Sequence, residues 1–212
     1  MIHRVPTRSG NTWTMHLWYG ANVPDDSDLR LSGDLAGKRV IELGTATIAH
    51  GVTPNAVAMA LAGAKAMALD PNASSIAAIR DAAARNEVRV ECHQGELADL
   101  GFATSGSVDL VVASHTLEGV DDLPRLLRQV HRVLKPGASF VVAMRHPVAA
   151  MLGPDRTVRQ PYGAEGYTFA DLYMAFDRSN FRLDVVSELT DRRIRDSWAP
   201  AVLVVRARKQ GV

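Results

Sequence analysis

Two acids and four histidines of this 212-residue chain lie at or just beyond the ends of short apolar runs, where an α/β sheet places its chemistry. Asp70 closes the run 64–70, and Glu96 lies in the Gln94-Gly-Glu96 turn after the run 88–92. His93 and His115 also follow apolar runs, His146 follows the run 139–144, and His50 lies in the loop after the first run. Carboxylates accept hydrogen bonds and repel anions, so acids at two such ends suit a ligand that presents hydroxyls and an amino group, as a nucleoside does. Imidazole titrates near neutrality and can hold or release a proton in a reaction. Each of these histidines could equally serve as a hydrogen-bonded structural group.

The rest of the composition excludes several classes. Lys and Arg number 24 against 23 Asp and Glu, a formal charge of +1, and the one basic run, Asp191-Arg-Arg-Ile-Arg-Asp196, is bracketed by acids. That leaves no extended phosphate-binding face, so nucleic acid is not an expected partner. No apolar run approaches the roughly 20 residues needed to cross a bilayer, and no membrane association is expected. The first ten residues lack the apolar core of a signal peptide, which makes the cytoplasm the expected location. Cys92 stands alone, so an internal disulfide or an all-cysteine metal site is excluded, and its alternating neighbours Val88-Arg-Val-Glu-Cys92 suit a buried structural thiol. No His/Cys/Asp cluster has ligand spacing, so no metal is expected. Ser114 and His115 are adjacent on a strand end and point to opposite sides, so nucleophilic serine chemistry lacks support.

Apolar and amphipathic runs alternate from about residue 38 onward, the pattern of parallel strands with crossover helices. Strands are predicted at 38–43, 64–70, 88–92, 108–113 and 139–144. Thr53-Pro54 offers a cap and a first-turn proline for a helix to about 62, and Pro71-Asn-Ala-Ser leads into an alanine-rich helix to about 86. Asp121 is expected to cap the clearest helix, whose Leu123, Leu126, Leu127, Val130, Val133 and Leu134 form one stripe. The Pro/Gly-rich stretch 146–166 reads as a lid or pocket wall. A helix over 168–180, an exposed or edge strand over 181–189 and a last strand over 201–207 complete the pattern. Residues 1–34 are expected to form a helical cap segment on a single domain spanning 35–212.

At these residues the chain resembles the class I S-adenosylmethionine-dependent methyltransferases, in their small-molecule branch. The resemblance rests on Val40-Ile-Glu-Leu-Gly44, Leu69-Asp70, Gln94-Gly-Glu96 and Leu100-Gly-Phe102. It rests above all on Val108-Asp-Leu-Val-Val-Ala-Ser-His-Thr-Leu-Glu-Gly-Val-Asp-Asp-Leu123 running into Val130-His-Arg-Val-Leu-Lys-Pro-Gly137. It implies a Rossmann-like, doubly wound, seven-stranded and mostly parallel sheet with an antiparallel last strand, and S-adenosylmethionine as cofactor. Glu42 would orient the methionine end indirectly while the backbone of Gly44, with Thr45 and Ala46, approaches the cofactor. Asp70 and Pro71 would meet the ribose, Gly95, Glu96 and Leu97 the adenine, and Ser114 and His115 the sulfonium side. The resemblance makes His146 the first candidate for a general base and His115 the second. Trp13, Trp18 and Tyr19 of the aromatic segment, with His146, Tyr162 and Tyr167, are the expected acceptor-pocket residues. The aromatic segment could equally bind a second copy of the chain.

The expected activity is methyl transfer to oxygen or nitrogen of a small molecule; the alternative is a methyltransferase-fold binding module with a weakened cofactor site. The alternative arises because the loop after Gly44 has Ala46 and Ile48 where the family places further glycines. Gly44 and Asp70 are also 26 positions apart, against about 20 in a dinucleotide fingerprint. Either the longer loop carries Ile48 away and offers Thr45, Thr47 or backbone amides to the cofactor, or the site is impaired. A nicotinamide-dependent oxidoreductase would need the Gly-x-Gly-x-x-Gly that is missing after Leu43.

Overall fold

In the computed structural model, residues 16–118, 120–153, 155–194, 197 and 199–211 are described. Seven strands form one sheet: β1 (Arg39–Leu43), β2 (Lys65–Asp70), β3 (Val90–Gln94), β4 (Val108–Ser114), β5 (Leu134–Arg145), β6 (Phe181–Leu189) and β7 (Val202–Lys209). Their order is β3-β2-β1-β4-β5-β7-β6. Parallel pairing joins β1 to β2 and β4, β2 to β3, and β4 to β5, while β7 lies antiparallel between β5 and β6. This is the expected doubly wound sheet with its last strand reversed. The third strand starts two residues later than its apolar run, and β5 extends back through Pro136-Gly137 to the end of the preceding helix.

The central strands are apolar on both faces because each face carries its own core. Ile41, Leu43, Val111, Ala113, Phe140 and Val142 pack with α4 (Leu123–Val133) and α6 (Phe169–Arg178). Val40, Ala66, Ala68, Leu110 and Val112 pack on the other face with α2 (Asn55–Leu61) and α3 (Ala73–Arg85). The α4 stripe is fully used: Leu126, Leu127, Val130 and Val133 are all inaccessible, each contributing roughly 2 kcal/mol by burial. Its cap is Asp122, whose carboxylate accepts from the Arg125 N–H at 2.8 Å, one residue later than expected.

Thr168 starts α6 with a reciprocal cap: its hydroxyl accepts from the Asp171 N–H at 3.1 Å, and Asp171 accepts back from the Thr168 N–H at 3.1 Å. Thr168→Ala is expected to lower stability by about 1 kcal/mol, read as a shift of the urea midpoint at constant slope. The edge strand β6 is interrupted by a bulge between Leu183 and Val185. There Asp184 accepts from Arg206 at 2.8 Å and Arg208 at 2.6 Å. A bulge with an inward acid disrupts the exposed ladder against pairing with another chain.

The described part of the amino-terminal segment differs from the helix expected of it. It contains only α1 (Asp26–Leu29), because Asn22 at φ +60° and Pro24 interrupt the run ahead of it. Leu17, Trp18, Tyr19, Leu31 and Leu35 are buried, so the segment is built into the second core. Asn55 fixes its path, accepting from the Trp18 N–H at 2.7 Å and donating to the Trp18 carbonyl at 3.1 Å.

Candidate active site

The chemistry begins where β1 ends. Gly44 has φ +69°, and a Cβ there would lie 2.5 Å from Thr116 Cγ2, so both conformation and packing demand glycine. Thr116 closes on it by donating to the Leu43 carbonyl at 2.7 Å. The following loop is a 3-10 turn, Ala46–His50, ended by Gly51 at φ +66°. It carries Ile48 against the second core, and Ile48 is not among the residues lining the cavity at the strand ends. The longer loop therefore accommodates the missing glycines by turning Ile48 away from the cavity.

Asp70 ties this loop to the next. Its Oδ2 accepts from the Thr45 N–H and its Oδ1 from the Asn72 N–H, both at 2.8 Å, and the residue is only 5% exposed while lining the cavity. A carboxylate has about four lone-pair sites, so two remain for a ligand's hydroxyls. The cavity measures about 560 Å³ and is bordered by four acids, Asp70, Glu96, Asp121 and Asp122. Arg125 also lines it, but its guanidinium is bonded to Asp99 at 2.9 Å. Such a wall favours a cationic, hydroxyl-bearing ligand and repels a pyrophosphate. The buried Thr45 hydroxyl has no hydrogen-bond partner among the described residues, and Thr45 borders the cavity.

Eight of the eleven residues expected at a cofactor border this cavity: Gly44, Thr45, Ala46, Asp70, Pro71, Glu96, Leu97 and His115. Gly95 does not; its N–H donates to the Asp70 carbonyl at 3.2 Å and so fixes the turn. Ser114 is turned away, donating to the Trp18 carbonyl at 3.0 Å and accepting from Asn55 at 3.2 Å. Glu42 is buried behind the site. Its two oxygens accept from the N–H groups of Asn55 at 3.1 Å and Ala56 at 2.7 Å, capping α2 from within the sheet. That displaces Thr53, the expected cap, whose buried hydroxyl makes no hydrogen bond among the described residues. Burial pushes the Glu42 carboxyl up to about 8; the two N–H groups oppose the shift and nearby Asp70 adds to it.

The two candidate bases exchange rank. His146 is buried and caps α5 (Pro147–Met151), its Nδ1 accepting from the Val148 N–H at 3.1 Å and its Nε2 lying 2.9 Å from Glu188. Both nitrogens are taken, so neither is available to an acceptor, which corrects the expected order. His115 borders the cavity, with Nε2 2.9 Å from the Tyr19 carbonyl. Nε2 must therefore carry the hydrogen, leaving the Nδ1 lone pair free 3.7 Å from Glu118. The ring rests on Trp18, centroids 5.4 Å apart, and the backbone is left-handed at φ +55°.

The expected acceptor residues do not converge. Trp13 lies outside the described residues. Tyr19 is fully buried and donates to Asp26 at 2.7 Å, and burial followed by that carboxylate pushes its hydroxyl well above its ordinary value. Trp18 is 8% exposed between His50 and His115. Tyr162 is half exposed and accepts from the Phe169 N–H at 3.1 Å. Tyr167 donates at 2.6 Å to the carbonyl of Val120, which borders the cavity. Thr116, Val120, Asp122 and Arg125 are cavity residues that sequence reasoning missed, although the Asp121-Asp122 pair before the amphipathic helix was a visible signal.

A family model described as "Methyltransferase domain" matches residues 47–142. The chain is 32% identical over 149 residues to the ubiquinone biosynthesis O-methyltransferase of Sodalis glossinidius, covering 68% of this chain and 58% of that protein. It is 30% identical over 113 residues to the ubiquinone/menaquinone biosynthesis C-methyltransferase UbiE of Rubrivivax gelatinosus, covering 53% and 41%. The chain thus spans about half the length of these curated relatives. Its fold is similar to that of an S-adenosylmethionine-dependent methyltransferase from Mesorhizobium loti, with TM-score 0.67, 22% identity, and 86% and 96% of the two chains covered.

Proposed function

We propose that the chain belongs to the class I S-adenosylmethionine-dependent methyltransferase family, takes S-adenosylmethionine as its cofactor and methylates an oxygen or nitrogen of a small molecule. The observation that carries this reading is the acid-bordered cavity with Asp70 at its base. When bound, the cofactor supplies a methyl group on a sulfonium, a good electrophile. Asp70 accepts from the ribose hydroxyls, Glu96 and Leu97 flank the adenine, and Gly44 and Thr45 take the methionine end. The net negative border accepts the cofactor's positive charges and disfavours phosphate-bearing dinucleotides. With Ile48 packed away from the cavity, the feature that motivated a binding module without activity is accommodated.

His115 is the proton acceptor in this reading. Displacement at carbon needs positioning above all, and a base only where the attacking atom carries a proton. Its free Nδ1 can take that proton, and Glu118 beside it stabilises the resulting imidazolium. The two relatives described above are named for ubiquinone or menaquinone biosynthesis, which supports a small acceptor.

Isothermal titration with S-adenosylmethionine and with its demethylated product is expected to give saturable heats. No heat from either at high protein concentration overturns the cofactor assignment. His115→Gln is expected to lower turnover of a phenolic acceptor about 100-fold while leaving cofactor affinity near the parent's. Equal losses in both would make the residue structural.

A further inference from the structure

Tyr19 and Asp26 are buried ionisable groups that do not border the cofactor cavity, yet together they hold a residue that does. The Asp26 carboxylate accepts from the Tyr19 hydroxyl and the Leu31 N–H, both at 2.7 Å, from the Ser32 N–H at 3.3 Å and from the Ser32 hydroxyl. Its own N–H donates to the Leu17 carbonyl at 3.0 Å. One acid thus pins the amino-terminal segment at residues 17, 19, 31 and 32, and hydrogen bonds to a charged group are the strong ones.

Within that segment the strip Trp18-Tyr19-Gly20 lies against the end of β4. Trp18 is fixed by its two bonds with Asn55 and by the Ser114 hydroxyl, which donates to its carbonyl. The Tyr19 carbonyl accepts from His115 Nε2 at 2.9 Å. Gly20 leaves no slack, since a Cβ there would lie 2.9 Å from Val202 Cγ2 and 3.1 Å from His115 Nε2. Strip and imidazole are packed as one unit. His115 needs such a hold because its backbone is left-handed, at φ +55°. A non-glycine residue there is strained and persists only where its surroundings over-determine it. Two bonds do so: the His115 N–H donates to the Ala143 carbonyl at 2.7 Å, and the ring donates to the Tyr19 carbonyl. The first belongs to the sheet. The second depends on a strip 96 residues earlier, which Asp26 ties in place.

We propose that Asp26, acting through Tyr19, is a positioning residue for His115: it holds the Tyr19 carbonyl where the imidazole keeps its proton on Nε2 and its lone pair on Nδ1. That this serves proton transfer rests on reading His115 as the base; the hold itself does not. An acid that merely tied the chain together would change global stability and leave the ring proton as it was.

The test is solution NMR of the full chain with isotope-labelled histidine, following the His115 ring proton on the neutral imidazole, its signal assigned by its loss in His115→Gln. In the parent the proton is expected on Nε2, exchanging slowly with water. Tyr19→Phe keeps the buried ring and removes only the bond to Asp26; it is expected to speed that exchange about ten-fold or more, because a hydrogen bond to a charged group is lost. Asp26→Asn is expected to act in the same direction, and Tyr19→Phe carries the test alone if that variant does not fold. Thr168→Ala lowers stability from the other face of the sheet and is expected to leave the exchange within about two-fold of the parent's. A parent proton on Nδ1, exchange unchanged in Tyr19→Phe, or equal acceleration in Thr168→Ala at equal loss of stability would overturn the proposal. If the proton behaves as expected while His115→Gln keeps full turnover of a phenolic acceptor, the base reading fails and the hold stands.

Discussion

Asp70→Asn is expected to weaken S-adenosylmethionine binding at least 100-fold. The side chain is held between two backbone donors, the N–H groups of Thr45 and Asn72, each 2.8 Å away. An amide can accept from only one of them, and its NH₂ must face the other, donor against donor. One loop is therefore released whichever way the amide turns. If it is the Thr45 loop, Gly44, Thr45 and Ala46 move with it, and all three border the cavity. The ligand also loses a charged acceptor. Hydrogen bonds to charged groups contribute about 1.5–3 kcal/mol each, so losing two of them costs roughly 10²–10⁴ in affinity. Calorimetry with the parent and variant reads this directly, with urea unfolding to show that the variant remains folded. Affinity within three-fold of the parent would remove Asp70 from the site.

What could be read in the sequence about Asp70 was its position, because an apolar run ended by an acid is a local pattern. The sheet was legible for the same reason: runs such as 110–113 are apolar on both faces, as a short strand covered on both sides is. The α4 stripe was likewise complete in the sequence. The errors share a different cause, which is that their deciding partner is distant along the chain. Thr53 has the side chain of a helix cap, but Glu42, thirteen residues before Asn55, reaches the same N–H groups from inside the sheet. His146 looks available until Glu188, forty-two residues later, takes its second nitrogen. Alternation placed Ser114 and His115 on opposite sides of a strand end without saying which faced the ligand. Trp18 decides it, since its carbonyl takes the serine hydroxyl while its ring supports the histidine. Ile48 was ambiguous because a 3-10 turn has no strong sequence pattern, and only the second core shows where that side chain goes.

The second large effect concerns Glu42 and pH. Burial raises its carboxyl to about 8 in the folded protein, from an ordinary value near 4.5. Between those values the folded chain keeps a proton that the unfolded chain has released, so the folded state binds more protons and stability falls as pH rises. The contribution is fully present below about pH 4.5 and is lost by the time pH passes 8, with a ceiling of about 5 kcal/mol at 1.36 kcal/mol per pKa unit. Glu42→Gln cannot titrate, and every other group is shared by the two proteins, so the difference between their stability curves isolates this residue. At pH 5 the variant is expected to be the less stable by about 1–3 kcal/mol, because its NH₂ meets one of the α2 N–H groups and leaves that donor unsatisfied. Toward pH 8.5 the gap should close or reverse as the parent alone bears a buried charge. Urea unfolding of both proteins from pH 5 to 8.5 measures it, and parallel curves would show that the capped helix end already holds Glu42 ionised at neutral pH. In that case the two N–H groups of Asn55 and Ala56 outweigh the burial, and the acid behind the site is a fixed negative charge throughout the physiological range.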